Sequence, residues 1–147
     1  ENRKIWDEYV VPLSDRQFTQ EMGYSIGSVR NQIVHLISAD DAWFSGMRGD
    51  PIPEWLKPAD FDEREIVCAH WDRVEQKMRA DLAELQDEDL FDKPFSEEED
   101  QELFRWQALL QAATPCVDHR AQILRLLNDL GVKTSAHDYI LYAYENP

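Results

Sequence analysis

The sequence contains few cysteines and no hydrophobic run long enough to cross a membrane. Its 147 residues include two cysteines, Cys68 and Cys116, which are far apart and outside any Cys-x-x-Cys spacing. This pattern argues against a disulfide scaffold or a structural zinc knuckle, and it favours a reducing compartment such as the cytoplasm. An apolar stretch such as residues 33–39 already contains a histidine and a serine, whereas a membrane helix needs about 18 consecutive apolar residues. We therefore expect a soluble, cytoplasmic protein.

Positive charge is also scarce. The chain has 15 lysines and arginines against 30 aspartates and glutamates, which gives a formal net charge of −15. A field of this sign repels phosphate backbones and anionic lipid headgroups, so we expect neither nucleic acid nor membrane as a partner. Hydrophobic residues make up 43% of the chain, which is ordinary for a globular protein and predicts a folded chain. The length predicts one domain over residues 1–147.

Common signatures of targeting and of catalysis are absent. The first four residues include no apolar segment and no initiator methionine, so we predict no signal peptide and do not assume that residue 1 is the natural terminus. The chain lacks the patterns Gly-x-x-x-x-Gly-Lys-Ser/Thr, Gly-x-Gly-x-x-Gly, Gly-x-Ser-x-Gly and His-Glu-x-x-His. Their absence argues against the commonest nucleotide-binding, serine hydrolase and zinc protease functions.

The few glycines and prolines fall between segments with helical periodicity, which predicts a mostly α-helical chain. A capping box at Ser14-Asp15-Arg16-Gln17 predicts a short helical turn, and Asp60 with Glu63 is the predicted cap of the third long helix. Gly131 is a suitable left-handed cap for the fourth. The acidic residues 87–100 are expected to form a solvated connection. The predicted helices cover residues 2–11, 25 or 28 to 49, 60–86 and 102–130, with a short helical segment within 135–144.

The apolar residues of the long helices form continuous stripes, and each stripe needs a partner to bury it. The sequence therefore predicts an all-α protein, an antiparallel four-helix bundle with a short C-terminal helical segment. The stripe of the second helix comprises Ile26, Val29, Ile33, Leu36, Ile37, Trp43, Phe44 and Met47, and that of the third comprises Val67, Trp71, Val74, Met78, Leu82 and Leu85.

Four histidines are the remaining candidates for chemistry. His35 lies on a flank of the second helix, away from its apolar stripe and next to small residues, so it either contacts a ligand or is an ordinary exposed imidazole. His119 lies midway along the fourth helix. A pair of histidines from two helices is typical of metal sites in bundle cores, although an exposed His119 is the simpler interpretation. We expect His70 and His137 to be structural or exposed.

Asp40 falls inside the apolar stripe of the second helix. A buried carboxylate needs a partner. We expect an ion pair with an arginine such as Arg30 or Arg120, and the alternative is that Asp40 takes part in catalysis or orients a histidine.

Two regions of the chain contain recognisable short motifs. They are Ser25-Ile26-Gly27-Ser28-Val29-Arg30, Ile33-Val34-His35-Leu36, Ala39-Asp40-Asp41-Ala42-Trp43-Phe44, Trp106-Gln107-Ala108-Leu109-Leu110 and Asp118-His119-Arg120-Ala121-Gln122-Ile123. These motifs resemble those of the DinB/YfiT-like superfamily of bacterial four-helix bundles, and the resemblance spans nearly the whole chain. It implies a metal ligand at the histidine of the second helix.

The resemblance also implies two ligands on the closing helix, spaced as His-x-x-x-His, which complete a three-histidine site. Here the second of this pair is His119, but the expected position of the first is Pro115, which has no donor atom. Gln111, one turn earlier, also stands where relatives often have histidine. Cys116 and Asp118 point about 100° away from the ligand face of a regular helix, unless the proline kink changes their direction.

Two functions remain open. The first, which the resemblance implies, is a divalent-metal-dependent enzyme of the thiol transferase, isomerase or hydrolase kind. It would use His35 and His119 with nickel or zinc and take a small molecule or low-molecular-weight thiol. The second is a DinB-like binding or structural protein of undefined activity that binds metal weakly or not at all and forms a homodimer. Pro115 favours the second.

Overall fold

The computed structural model describes residues 2–145, apart from the side chains of residues 139, 142 and 145. Within the described residues the chain is helical and has no strand, so the all-α prediction is confirmed. Two short 3₁₀ turns, Pro58–Asp60 and Asp87–Phe91, lie in the connections. The helices are α1 (Asn2–Ile5), which continues as a π-helical turn over Trp6–Val10, α2 (Asp15–Thr19), α3 (Val29–Arg48), α4 (Arg64–Glu84), α5 (Arg105–Asp129) and α6 (Tyr139–Glu145).

Most helix ends form where the sequence predicts them. The amide of Gln17 donates to Ser14 Oγ at 3.3 Å, which closes the predicted capping box of α2. Ser28 caps α3 by accepting from the amide of Asn31 at 3.1 Å. Gly49 and Gly131 follow α3 and α5 with φ of 76° and 84°, a left-handed conformation that glycine adopts without strain.

The predicted cap of α4 is wrong. Asp60 lies in the 3₁₀ turn Pro58–Asp60, and α4 begins only at Arg64, with Glu63 as an N-cap whose side chain makes no capping hydrogen bond. The connection before α4 is therefore longer than predicted.

Side-chain contacts define how the helices run. His119 in the second half of α5 contacts Gln32 near the start of α3, and Arg105 at the start of α5 donates to the carbonyl of Met47, near the end of α3, at 2.8 Å. These contacts show that α3 and α5 are antiparallel. Their shared interface carries the site described below.

The predicted antiparallel order holds for α3 and α5, whereas the consecutive long helices α3 and α4 run in the same direction. Arg30 near the start of α3 pairs with Asp62, just before α4, and Arg48 at the end of α3 pairs with Asp81 at 2.6 Å, near the end of α4. The connection 49–63 must therefore return along the bundle. Its return path brings the connection over the α3–α5 interface.

The core follows the predicted stripes with a few exceptions. Val29, Ile33, Leu36 and Ile37 of α3 are buried, but Ile26 lies before the helix and is exposed, and so is Leu82 of α4. The acidic connection contributes a buried residue that the sequence analysis did not predict, Phe95, which packs against Phe44 and Met47. It approaches the backbone of α3 so closely that a Cβ at Gly46 would lie 2.5 Å from its ring.

No helix among residues 2–145 is both long and apolar enough to span a membrane.

Candidate functional site

The imidazoles of His35 and His119 meet in a cleft between α3, α5 and the connection that precedes α4. Their ring centroids are 4.6 Å apart and the ring planes are inclined by 60°. The cleft has a volume of about 160 Å³, and its walls include Trp43, Trp55 and Pro115. The two histidines that the sequence analysis selected therefore lie side by side, in contact with one cavity.

Gln32 fixes the orientation of His119. Nδ1 of His119 lies 2.8 Å from Oε1 of Gln32, a side chain that is fully buried. The amide nitrogen of Gln32 donates to Ser25 Oγ and to Gln122 Oε1, both at 2.7 Å, so Oε1 is the atom left to accept from the imidazole. His119 must donate through Nδ1, which leaves the lone pair of Nε2 free. This is how a histidine is commonly prepared to bind a metal ion or a ligand proton.

Trp55 covers His35. The two rings stack with centroids 5.2 Å apart and planes 23° apart. The neighbouring amide of Leu56 donates to the hydroxyl of Ser38 at 3.1 Å, and this hydroxyl donates to the carbonyl of Val34 at 3.0 Å. Buried Ser38 thus attaches the connection to α3 and holds Trp55 at the mouth of the cleft.

Both imidazoles are neutral at neutral pH. Partial burial lowers the pKa of His35, and repulsion from His119 lowers it further. Partial burial also lowers the pKa of His119, against a smaller opposing effect of Asp118. Neutral imidazoles present nitrogen lone pairs, which are hydrogen-bond acceptors and metal donors.

The position expected for a third metal ligand has no donor atom. Pro115 lines the same cleft, one helical turn before His119, and its ring carries no donor atom. Among the residues that the structure describes, no group of three or more histidine, cysteine, aspartate or glutamate side chains is arranged to hold a metal ion. The residues present do not fit a three-histidine metal centre, because catalytic zinc sites use three protein ligands.

Asp40 and Cys116 form the inner wall of the cleft. Asp40 is 9% exposed, and its Oδ1 lies 3.9 Å from the Cys116 thiol, which also donates to the carbonyl of Ala112 at 3.1 Å. Burial raises the pKa of Asp40 to about 7, and the hydrogen bond from Cys116 opposes this shift. Burial, followed by the charge of Asp40, raises the pKa of Cys116 to about 11.

The predicted ion pair between Asp40 and an arginine is wrong. Within residues 2–145 no lysine or arginine nitrogen lies within 4.0 Å of its carboxylate, and Arg30 pairs with Asp62 instead. Asp118 is exposed and does not line the cleft. Cys116 does line it. The helix α5 continues through Pro115 without interruption.

The other two histidines lie outside the cleft. His70 packs edge-on against Phe61, with centroids 5.6 Å apart, and contacts Arg73. His137 packs edge-on against Tyr9 at 5.8 Å. Both positions fit the structural role expected for them.

Two residues of the site, Gln32 and Trp55, were not predicted from the sequence. Gln32 lies one turn before Leu36 on the buried side of α3, and a polar residue within an apolar stripe is a signal that could have identified it. Trp55 lies in an irregular connection, where no periodicity reports which way a side chain points.

The described residues form an all-helical bundle with two imidazoles side by side between antiparallel helices. The family model of the DinB family matches residues 1–146, and the chain belongs to that family. No curated protein matches the chain significantly.

Proposed function

We propose that this DinB-family protein is a binding protein with an incomplete metal centre. Its cleft takes a small organic molecule, and His35 with His119 binds a divalent metal such as nickel or zinc only weakly. The observation that carries the proposal is the pair of imidazoles 4.6 Å apart beside Pro115, in a cleft of about 160 Å³.

Weak metal binding follows from the number of donors. Two imidazoles leave the remaining coordination positions of the metal to water, whereas catalytic sites supply three protein ligands. We expect a dissociation constant of roughly a micromolar or weaker, equivalent to about 8 kcal/mol of binding free energy or less.

A metal-dependent enzyme of the thiol transferase, isomerase or hydrolase kind is the second candidate. The contact between Gln32 and His119 favours it, because a buried amide that fixes a histidine tautomer commonly accompanies a metal ligand. Such an enzyme requires a third donor from outside the protein, for example a low-molecular-weight thiol.

A nickel and zinc titration by calorimetry tests the proposal. The unmodified protein should bind weakly, and His35→Ala should weaken binding by at least about tenfold because one of two donors is lost. His70→Ala is the matched control and should bind as the unmodified protein does, because His70 lies outside the cleft. Stoichiometric nanomolar binding by the unmodified protein would favour the enzyme instead.

We further propose that the protein is a cytoplasmic homodimer. Trp106, Leu110 and Val117 are exposed on α5, and their spacing places them on one stripe, opposite the face that carries His119. Pairing this stripe with its copy would bury apolar surface from both chains without covering the cleft.

A further inference from the structure

A carboxylate without a cation lies in the wall of the cleft. Asp40 is nine-tenths buried, and its hydrogen-bond partner among the described residues is a thiol at 3.9 Å. A buried carboxylate normally has a cation or several strong donors, because leaving water is unfavourable for its charge. The ionised carboxylate of Asp40 therefore has no positive partner among the described residues, and a bound cation would supply one.

The remaining groups of the cleft also suit a cation. His119 presents a nitrogen lone pair, because its Nδ1 proton is used by Gln32. Trp43 and Trp55 also line the cleft, and an indole ring attracts cations through its π electrons. No lysine or arginine among the described residues lines the cleft, although Arg120 is near enough to influence the pKa of Cys116.

Asp40 also borders a second, larger crevice of about 340 Å³ on the side of α4. That crevice is lined by Arg3 and Arg79, which share Glu75 as an ion-pair partner. That crevice already holds cationic groups, whereas no lysine or arginine among the described residues lines the histidine cleft. A positive ligand of Asp40 is therefore expected on the histidine side.

We infer that the cleft binds a small organic ammonium ion, whose charge pairs with Asp40 and whose apolar body lies against Trp43 and Trp55. This inference rests on the proposed function, because it names the class of molecule that the cleft takes. A primary ammonium has three N–H donors, which match the Asp40 carboxylate and the His119 lone pair. The volume limits the apolar body to about the size of benzene, which fits a cavity of about 150 Å³.

Three probes of nearly the same shape differ in charge: benzylammonium is a cation, benzyl alcohol is neutral and benzoate is an anion. Comparing their affinities shows the effect of ligand charge apart from that of ligand shape. Binding is measured by NMR titration at about pH 8, where Asp40 is ionised. Benzylammonium should bind at least about tenfold more tightly than benzyl alcohol, because a charge-assisted hydrogen bond in a partly buried site is strong. Benzoate should bind most weakly.

The variant Asp40→Asn should abolish the preference for benzylammonium and leave the affinity for benzyl alcohol unchanged. Asp41→Asn is the matched control, since it removes the same charge from the next residue, which pairs with Lys77. It should keep the preference, which excludes a general effect of the net charge of −15. Thermal unfolding establishes that both variants are folded.

The outcomes separate the two proposals. Equal affinity for the three probes, preference for benzoate, or a preference that survives Asp40→Asn would overturn the ammonium inference and leave the proposed ligand cleft intact. If none of the probes perturbs the resonances of His35 and His119, the cleft does not bind small organic molecules, and both proposals are wrong.

Discussion

The carboxyl group of Asp40 lies in the middle of α3 among largely apolar neighbours. Burial raises its pKa to about 7 from the ordinary value of 3.8, so the folded protein holds a proton there that the unfolded chain has released between these values. The contribution of Asp40 to stability is consequently highest below about pH 4, decreases as the pH rises towards 7, and is constant above that range. Burying Asp40 therefore destabilises the fold at neutral pH.

Asp40→Asn should raise the free energy of unfolding at about pH 8 by roughly 1 to 4 kcal/mol, because the buried charge is removed while the shape is kept. At about pH 4 the variant and the unmodified protein should be nearly equal, since Asp40 is then largely protonated when folded. Urea unfolding at both pH values measures the difference. Asp41→Asn is the control and should change stability by less than about 1 kcal/mol. A variant with the same pH dependence as the unmodified protein would contradict the burial of the charge.

For single residues, the sequence predicted where a side chain lies better than it predicted which side chains contact it. The helical angle of Asp40 predicted its burial, and the resemblance together with two amphipathic helices predicted that His35 and His119 belong to one site. The structure places these two side by side, and their role as metal ligands remains a proposal. The partners of Asp40 and His119 could not be predicted, because a partner on another helix depends on the packing of the two helices.

The element that completes the site is the connection between α3 and α4. It lacks regular structure except for the turn Pro58–Asp60, and its attachment to α3 includes the hydrogen bond from Leu56 to Ser38. A single hydrogen bond contributes about 1 kcal/mol net. This connection is therefore the part of the site most sensitive to a local change.

Ser38→Ala should loosen the connection without unfolding α3. Loss of about 1 kcal/mol should speed hydrogen exchange of the Leu56 amide about fivefold and weaken the stacking of Trp55 on His35. Exchange followed by NMR measures the first effect, and tryptophan chemical shifts measure the second. Ser96→Ala, at an exposed site, is the control and should leave both unchanged. Unchanged exchange at Leu56 in Ser38→Ala would show that other contacts hold the connection.

Helix ends were predictable where a local signal decides them. Ser14, Gly49 and Gly131 act within a few residues of the chain, and each ends or begins a helix as predicted. Asp60 carried the same kind of signal, but the chain forms a 3₁₀ turn there and enters α4 only four residues later. The parallel course of α3 and α4, where antiparallel neighbours were predicted, could not be deduced from the sequence, because an apolar stripe is the same in both directions.

Across the whole molecule, α5 presents two different faces. One contributes Pro115, Cys116 and His119 to the cleft, and the opposite one exposes Trp106, Leu110 and Val117. An exposed apolar stripe on a helix is typical of an interface. The proposed dimer therefore uses a surface that is separate from the ligand cleft.

Leu110→Asp should convert the proposed dimer to a monomer, because it places two charges at the centre of a symmetric interface. Sedimentation equilibrium should give twice the chain mass of 17.3 kDa for the unmodified protein and a single chain mass for the variant. Val11→Asp, which replaces an exposed apolar residue outside α5, is the control and should remain dimeric. A monomeric unmodified protein at high concentration would contradict the dimer.

The bundle brings two imidazoles together in a cleft, and we propose that Pro115 prevents a complete metal site there. A calorimetric nickel and zinc titration of Pro115→His, with Pro115→Ala as the control, tests this proposal. Pro115→His should bind at least about 100-fold more tightly than the unmodified protein, and Pro115→Ala should stay within about threefold of it. Unchanged affinity in Pro115→His, or equally tight binding by Pro115→Ala, would contradict the claim.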